Sequence, residues 1–163
     1  MDIEELSVIK QAILNELEGY EFYKMAGNQA SSKEVKVAFL ELAQEEMSHI
    51  NWLNELFNKI KGGKEDEITL AFLADTSSPK IFTWENLDRK DAAMSVSAFG
   101  IGIQMERASI QFYMKAEEKT QSLDSKKLFG KLIIWEQAHL DQFASQYEKL
   151  KEDWWTEQDY APF

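Results

Sequence analysis

Glu136-Gln137-Ala138-His139 repeats Glu46-Met47-Ser48-His49 at an offset of ninety positions. Each is preceded, thirty positions earlier, by a lone glutamate: Glu106 for the second and Glu16 for the first. The 163 residues contain only 2 histidines, and both lie in these two motifs. On a helix, residues three apart share a face and sit about 4.5 Å apart along the axis. The flanking residues show which face it is. Leu42 and Leu53 flank the first motif, and Leu132 and Phe143 the second; Glu16 lies between Ile13 and Tyr20, and Glu106 between Ile103 and Ile110. All six candidate ligands therefore interrupt apolar stripes and point inward wherever those stripes are buried.

A buried carboxylate without a partner is unfavourable, and four together also repel one another. The basic residues lie mostly off the stripes, so they are poorly placed to compensate. Two divalent metal ions would balance four carboxylates and leave both imidazoles neutral. An oxygen-rich set with one imidazole per ion suits iron or manganese, or a mixed pair, better than structural zinc. A single Glu-x-x-His is more often a surface pair. Here both copies lie on apolar stripes and both have a matching upstream glutamate.

Outward from the motifs, four segments carry helical periodicity: about Ile3 to Gly27, from after Ser31-Ser32 to Gly62-Gly63, from between Asp91 and Ser95 to about Lys119, and from near Asp124 to about Lys151. Glu34 is placed to close a capping box on Ser31, and Gly62-Gly63 reads as a helix end. The expected fold is all-α. It is a four-helix bundle of two similar helical hairpins joined by a long crossover between the second and third helices, in a single domain over 1–163. One hairpin alone cannot bury its stripe. Within the crossover, Ile68 to Ala74 could form a short helix. The duplication extends past the ligands: Glu16 to Tyr23 aligns with Glu106 to Tyr113, and Phe39, Leu42 and Leu53 align with Phe129, Leu132 and Phe143.

Tyr23 and Tyr113 follow the lone glutamates by seven positions, two turns along the same face. They are candidates to hydrogen-bond ligand carboxylates, or else are core aromatics; Tyr20 is a weaker candidate with Ile110 as its counterpart. Glu18, Glu21 and Glu45 fall off the stripes and read as solvated. The segment 153–163 is rich in aromatics and is expected to pack as a tail, on its own bundle or on a second subunit.

Composition narrows the function further. The net charge of -11 disfavours nucleic acid, whose phosphates need a basic surface. With no cysteine, thiolate sites and disulfides are excluded. Neither a signal-like start nor a membrane-length apolar run is present, so a cytoplasmic location without membrane association is expected.

The six ligand positions resemble the pattern of the ferritin-like superfamily, and Glu18-Gly19-Tyr20-Glu21-Phe22-Tyr23 resembles the first helix of rubrerythrin-type proteins. That resemblance implies a ferritin-like bundle, a carboxylate-bridged di-iron centre and a homodimer. Full rubrerythrins add a rubredoxin domain with four cysteines. This chain has none, so a separate electron-donor protein is implied. Peroxide-reducing rubrerythrins carry a further glutamate where this chain has Ser109, which counts against a ligand-switching mechanism. Met47 occupies the position that binds haem in bacterioferritin, but the tyrosine-rich first helix and long crossover favour the rubrerythrin type, and haem is not expected.

The favoured function is a di-iron oxidoreductase that reduces peroxide or O2. In it Glu16 and Glu106 are terminal ligands, one per ion, or shift on oxidation; Glu46 and Glu136 bridge, and His49 and His139 each hold one ion. The alternatives are an iron-binding, ferroxidase or storage protein, and a metal-stabilised, non-catalytic partner-binding protein.

Overall fold

The computed structural model describes residues 3–62 and 89–157, without the side chains of 89–94, 153, 154 and 157. Four helices account for nearly all of them: α1 (Ile3–Gln29), α2 (Lys33–Gly62), α3 (Arg89–Lys119) and α4 (Leu123–Glu157). The expected short helix at 68–74 and the end of the tail from 158 lie outside the described residues.

Local chemistry sets the helix starts. Ser32 Oγ accepts the Val35 N–H at 3.2 Å, and ninety positions on, Ser122 Oγ accepts the Ser125 N–H at 3.2 Å. Each serine satisfies one of the orphan donors of a first turn. The cap of α2 is therefore Ser32, not Ser31. Helix α2 starts at Lys33, which makes Val35 the third helical residue and leaves Glu34 one position short of closing a capping box. Two other boundaries move outward. Helix α3 already begins at Arg89, and α4 continues to Glu157, so the first part of the supposed tail is helix.

Helices α1 and α2 form one hairpin and α3 and α4 the other, and the hairpins pack α1 on α3 and α2 on α4. Both cross-pairs are antiparallel. Tyr23 and Ala26, late in α1, share a core cluster with Ala98 and Phe99, early in α3; Leu6 and Ile9 share the other with Tyr113 and Ala116. Leu42 likewise shares the first cluster with Leu150, and Leu56 the second with Leu128. Ile60, near the end of α2, and Ala98, near the start of α3, thus lie in opposite clusters. The residues that 63–88 connect stand at opposite ends of the bundle, as a crossover topology requires.

The clusters hold large buried side chains: Phe39, Phe99 and Phe143 in one, Phe129, Leu132 and Trp135 in the other. Each such side chain contributes about 1.5–3 kcal/mol by leaving water. The two clusters bracket the polar layer that holds the candidate ligands. No helix among the described residues is long and apolar enough to cross a membrane.

Candidate metal centre

The six residues singled out by the sequence repeat converge. Glu16, Glu46, His49, Glu106, Glu136 and His139 are each no more than 3% exposed. They form two groups whose ligand atoms lie within 4.8 Å of one another: Glu16, Glu46, His49 and Glu136 in one, Glu46, Glu106, Glu136 and His139 in the other. Glu46 and Glu136 belong to both. His49 Nδ1 lies 3.0 Å from Glu136, 3.2 Å from Glu16 and 3.7 Å from Glu46. His139 Nδ1 lies 3.4 Å from Glu46 and 3.5 Å from both Glu106 and Glu136. Each imidazole thus turns Nδ1 toward three carboxylates.

These donors fit a pair of cations. Among the described residues, Glu46 Oε1, Glu106 Oε2 and His139 Nδ1 are buried without a hydrogen-bond partner. Native proteins rarely leave such atoms unmet, and an ion is one of the things that meets them. All ligand atoms are oxygen or imidazole nitrogen, which suits iron or manganese.

The tyrosines complete the set. Tyr23 Oη donates to Glu106 Oε1 at 2.6 Å, and Tyr113 Oη donates to Glu16 Oε1. Each bond crosses from one hairpin to the other, although the sequence spacing had placed each tyrosine on the face of its own helix's glutamate. Tyr20 does not join them; it packs at the edge of a core cluster, with the Lys24 ammonium 5.6 Å from its ring centroid.

Crowding of like charges displaces the titration of these groups. Burial, reinforced by the neighbouring Glu16 carboxylate, pushes Glu46 up to about 8. Burial and Glu136 hold Glu106 well above the usual carboxylate range. Burial also works against an ionised Glu16, but hydrogen bonding with Glu46, the facing His49 and the Tyr113 hydroxyl outweigh it and bring Glu16 down to about 2. For both histidines burial opposes the charge. The carboxylates around them win: Glu16 and Glu136 raise His49, and Glu106 raises His139. Without metal, the cluster stores protons where cations would sit.

A cavity of about 180 Å³ opens between α1 and α3 and reaches Glu16, Glu46, Glu106 and Glu136, with Gly19 and Ser109 in its wall. The cavity runs close past Gly19, where a Cβ would stand 3.5 Å from Glu46 Oε2. A small molecule entering here meets the shared carboxylates directly.

Sequence reasoning placed Glu45 wrongly and missed the tryptophans. Glu45 is only partly solvated: its side chain is 23% exposed and its carboxylate meets His139 Nε2. His49 instead stacks on Trp135, with centroids 5.5 Å apart at 11°, and on Trp52 at 5.8 Å. A helical wheel puts Glu45 off the stripe because it registers a residue's own face, not what a neighbouring helix brings to that face.

Four antiparallel helices with paired carboxylate–histidine sets facing a shared interior define a ferritin-like carboxylate bundle. Within that class the chain belongs to the rubrerythrin family, whose model matches residues 7–147. Among solved structures it is similar to a hypothetical protein from Pyrococcus furiosus, at 23% identity and a TM-score of 0.69, over 93% of this chain and 92% of that one. That likeness extends to the fold. No curated protein matches the sequence.

Proposed function

We propose that the protein is a di-iron oxidoreductase that reduces peroxide or O2 with electrons from a separate donor protein. The observation that carries this reading is the pair of ligand groups sharing Glu46 and Glu136, at the end of a cavity that a small oxidant can enter. Glu16 and His49 would hold one ion, Glu106 and His139 the other, and Glu46 and Glu136 would span both. Iron bound there supplies two electrons, which with two protons convert hydrogen peroxide to two waters.

The protein's own groups orient and protect that chemistry. Tyr23 and Tyr113 hold the two outer glutamates by donating one hydrogen bond each. The apolar clusters lie on either side of the layer, and the cavity reaches its carboxylates from between α1 and α3. In this reading electrons return from a separate donor protein, since the four helices hold no cysteine for a rubredoxin-type centre. A cytoplasmic homodimer is the setting that agrees with this reading.

Iron oxidation by O2 is the second reading, favoured by Ser109. This serine lines the cavity where peroxide-reducing relatives would carry another carboxylate. One experiment separates the readings. Anaerobically purified protein is loaded with iron(II), its metal content is measured, and it is mixed in turn with peroxide and with O2 under a spectrophotometer. Two irons per chain, oxidised faster by peroxide than by O2, support the reductase; faster oxidation by O2 with uptake of further iron supports the ferroxidase. Folded protein that binds no transition metal overturns both.

A further inference from the structure

The ninety-residue repeat is followed by every candidate ligand but broken directly behind the two imidazoles. Position 45 is glutamate and its counterpart, 135, is tryptophan; position 52 is tryptophan and its counterpart, 142, is glutamine. The break has a structural consequence. His139 has a carboxylate behind it: Nδ1 faces Glu46, Glu106 and Glu136, while Nε2 meets Glu45. His49 has indole behind it: its ring stacks on Trp135 and Trp52, whose own centroids are 4.5 Å apart. The Lys131 ammonium stands 6.0 Å from the Trp135 centroid.

We infer that Glu45 is a positioning residue that makes the two metal positions unequal, so that the position built on Glu106 and His139 fills first and holds its ion more tightly. The inference rests on the metal-centre reading above and goes beyond it by assigning an order to the two positions. Its physical basis is the tautomer. An imidazole that binds a cation through Nδ1 carries its hydrogen on Nε2, and a carboxylate accepting that hydrogen fixes the ring and strengthens Nδ1 as a donor; partners of this kind are worth about 10–100-fold in metal affinity. A stacked indole fixes the plane of His49 equally well but accepts no in-plane hydrogen bond. Orientation is therefore supplied on both sides, and donor strength only on one. Glu45 adds a further negative charge beside the His139 position, where a divalent ion is attracted to it.

The test is a titration of the full-length metal-free protein with cobalt(II), followed by calorimetry and visible absorption. A parallel titration with zinc(II) is followed by the imidazole resonances in NMR, which 2 histidines keep unambiguous. Two unequal steps are expected, with the His139 resonances moving in the first equivalent. Glu45→Ala should weaken the tighter step by about 10–100-fold and leave the weaker one within about threefold, so that the steps merge. Glu45→Gln, which keeps an acceptor without the charge, should fall between. Glu41→Ala, which removes an exposed carboxylate one turn earlier on α2, should change neither step. If Glu45→Ala does not fold, the Glu45→Gln titration and the order of the wild-type resonances still test the inference. Two equal steps, His49 moving first, or a tight step indifferent to both Glu45 variants overturns it while leaving the metal centre standing. Failure of the wild-type protein to bind cobalt or zinc overturns the metal centre itself.

Discussion

Tyr23 on α1 donates a 2.6 Å hydrogen bond to Glu106 on α3, and both partners are buried. Tyr113 makes the equivalent bond to Glu16, so the two hairpins are tied by a reciprocal pair of tyrosine–glutamate bonds. Removing one hydroxyl leaves a buried carboxylate oxygen unmet, at a cost of about 1–3 kcal/mol. Phenylalanine preserves the ring, so no cavity is added. We expect Tyr23→Phe and Tyr113→Phe each to lower the melting temperature of the metal-free protein by several degrees, since each kcal/mol is worth about 2–4 °C in a chain of this size. Unchanged melting curves would show that the hydroxyls are not needed to satisfy the glutamates.

The shared and unshared carboxylates should separate in metal content. Glu16→Ala leaves Glu46, Glu106, Glu136 and His139 intact, and these four form a complete group. The expected result is one ion per chain, retained at the His139 side. Glu46→Ala removes a donor from both groups, so both ions should be lost or weakened together. It also removes one of several crowded buried carboxylates, and the metal-free variant should melt no lower than the wild type. Atomic absorption and a thermal melt on the same preparations check both statements. Unfolding of Glu46→Ala would point instead to a centre whose role is structural.

How far the sequence could be read follows from what its repeat encodes. The buried cluster of six was legible because each member interrupts an apolar stripe, and interruption at an inward position is a signal carried within a single helix. The bundle of two hairpins followed from stripe placement and from the length of the crossover. The partners of Tyr23, Tyr113 and Glu45 were not legible, because each contact crosses between hairpins and depends on how one helix is rotated against another. His139 therefore looked equivalent to His49 in the repeat, whereas in three dimensions one meets Glu45 and the other Trp135. The Ser32 cap was missed by one position for a more local reason: Ser31 and Ser32 are both capable, and only the Val35 N–H selects between them.

Two glycines should respond oppositely to alanine. A Cβ on Gly19 would stand 3.5 Å from Glu46 Oε2, an ordinary contact. Alanine there adds helix propensity, about 1 kcal/mol at most, while narrowing the cavity over Glu46. A Cβ on Gly27 would stand 3.0 Å from Leu40 Cγ and 3.2 Å from the Lys36 carbonyl oxygen. Leu40 can shift but the carbonyl belongs to the backbone of α2, so α1 and α2 must part by a few tenths of an ångström there. We expect Gly19→Ala to melt slightly higher than the wild type and to react more slowly with peroxide when loaded with iron. Gly27→Ala should cost about 1–3 kcal/mol, as overpacking does. Equal effects from the two substitutions would contradict the contact geometry.

The pH dependence of the metal-free protein should have a defined sign. Glu46 is raised to about 8 from an ordinary 4.5, Glu106 is raised well above that same value, and both histidines are raised above 6.5. A raised group contributes stability that is full below its ordinary value and is lost as pH climbs through its folded value. Glu16, lowered to about 2, works in the other direction: its contribution is present above 4.5 and is lost as pH falls toward 2. Between pH 6 and 9 only the raised groups change, so the melting temperature without metal should fall across that range. Metal binding must displace the same protons, so apparent affinity should rise with pH up to about 8 and binding should release protons into a weakly buffered solution. The gap in melting temperature between loaded and metal-free protein should accordingly widen from pH 6 to 8.5 at fixed metal concentration. Melting profiles of both forms, taken in parallel, decide the matter: a metal-free curve that stays flat or rises over this range would mean that Glu46, Glu106 and the two histidines do not hold protons in place of cations.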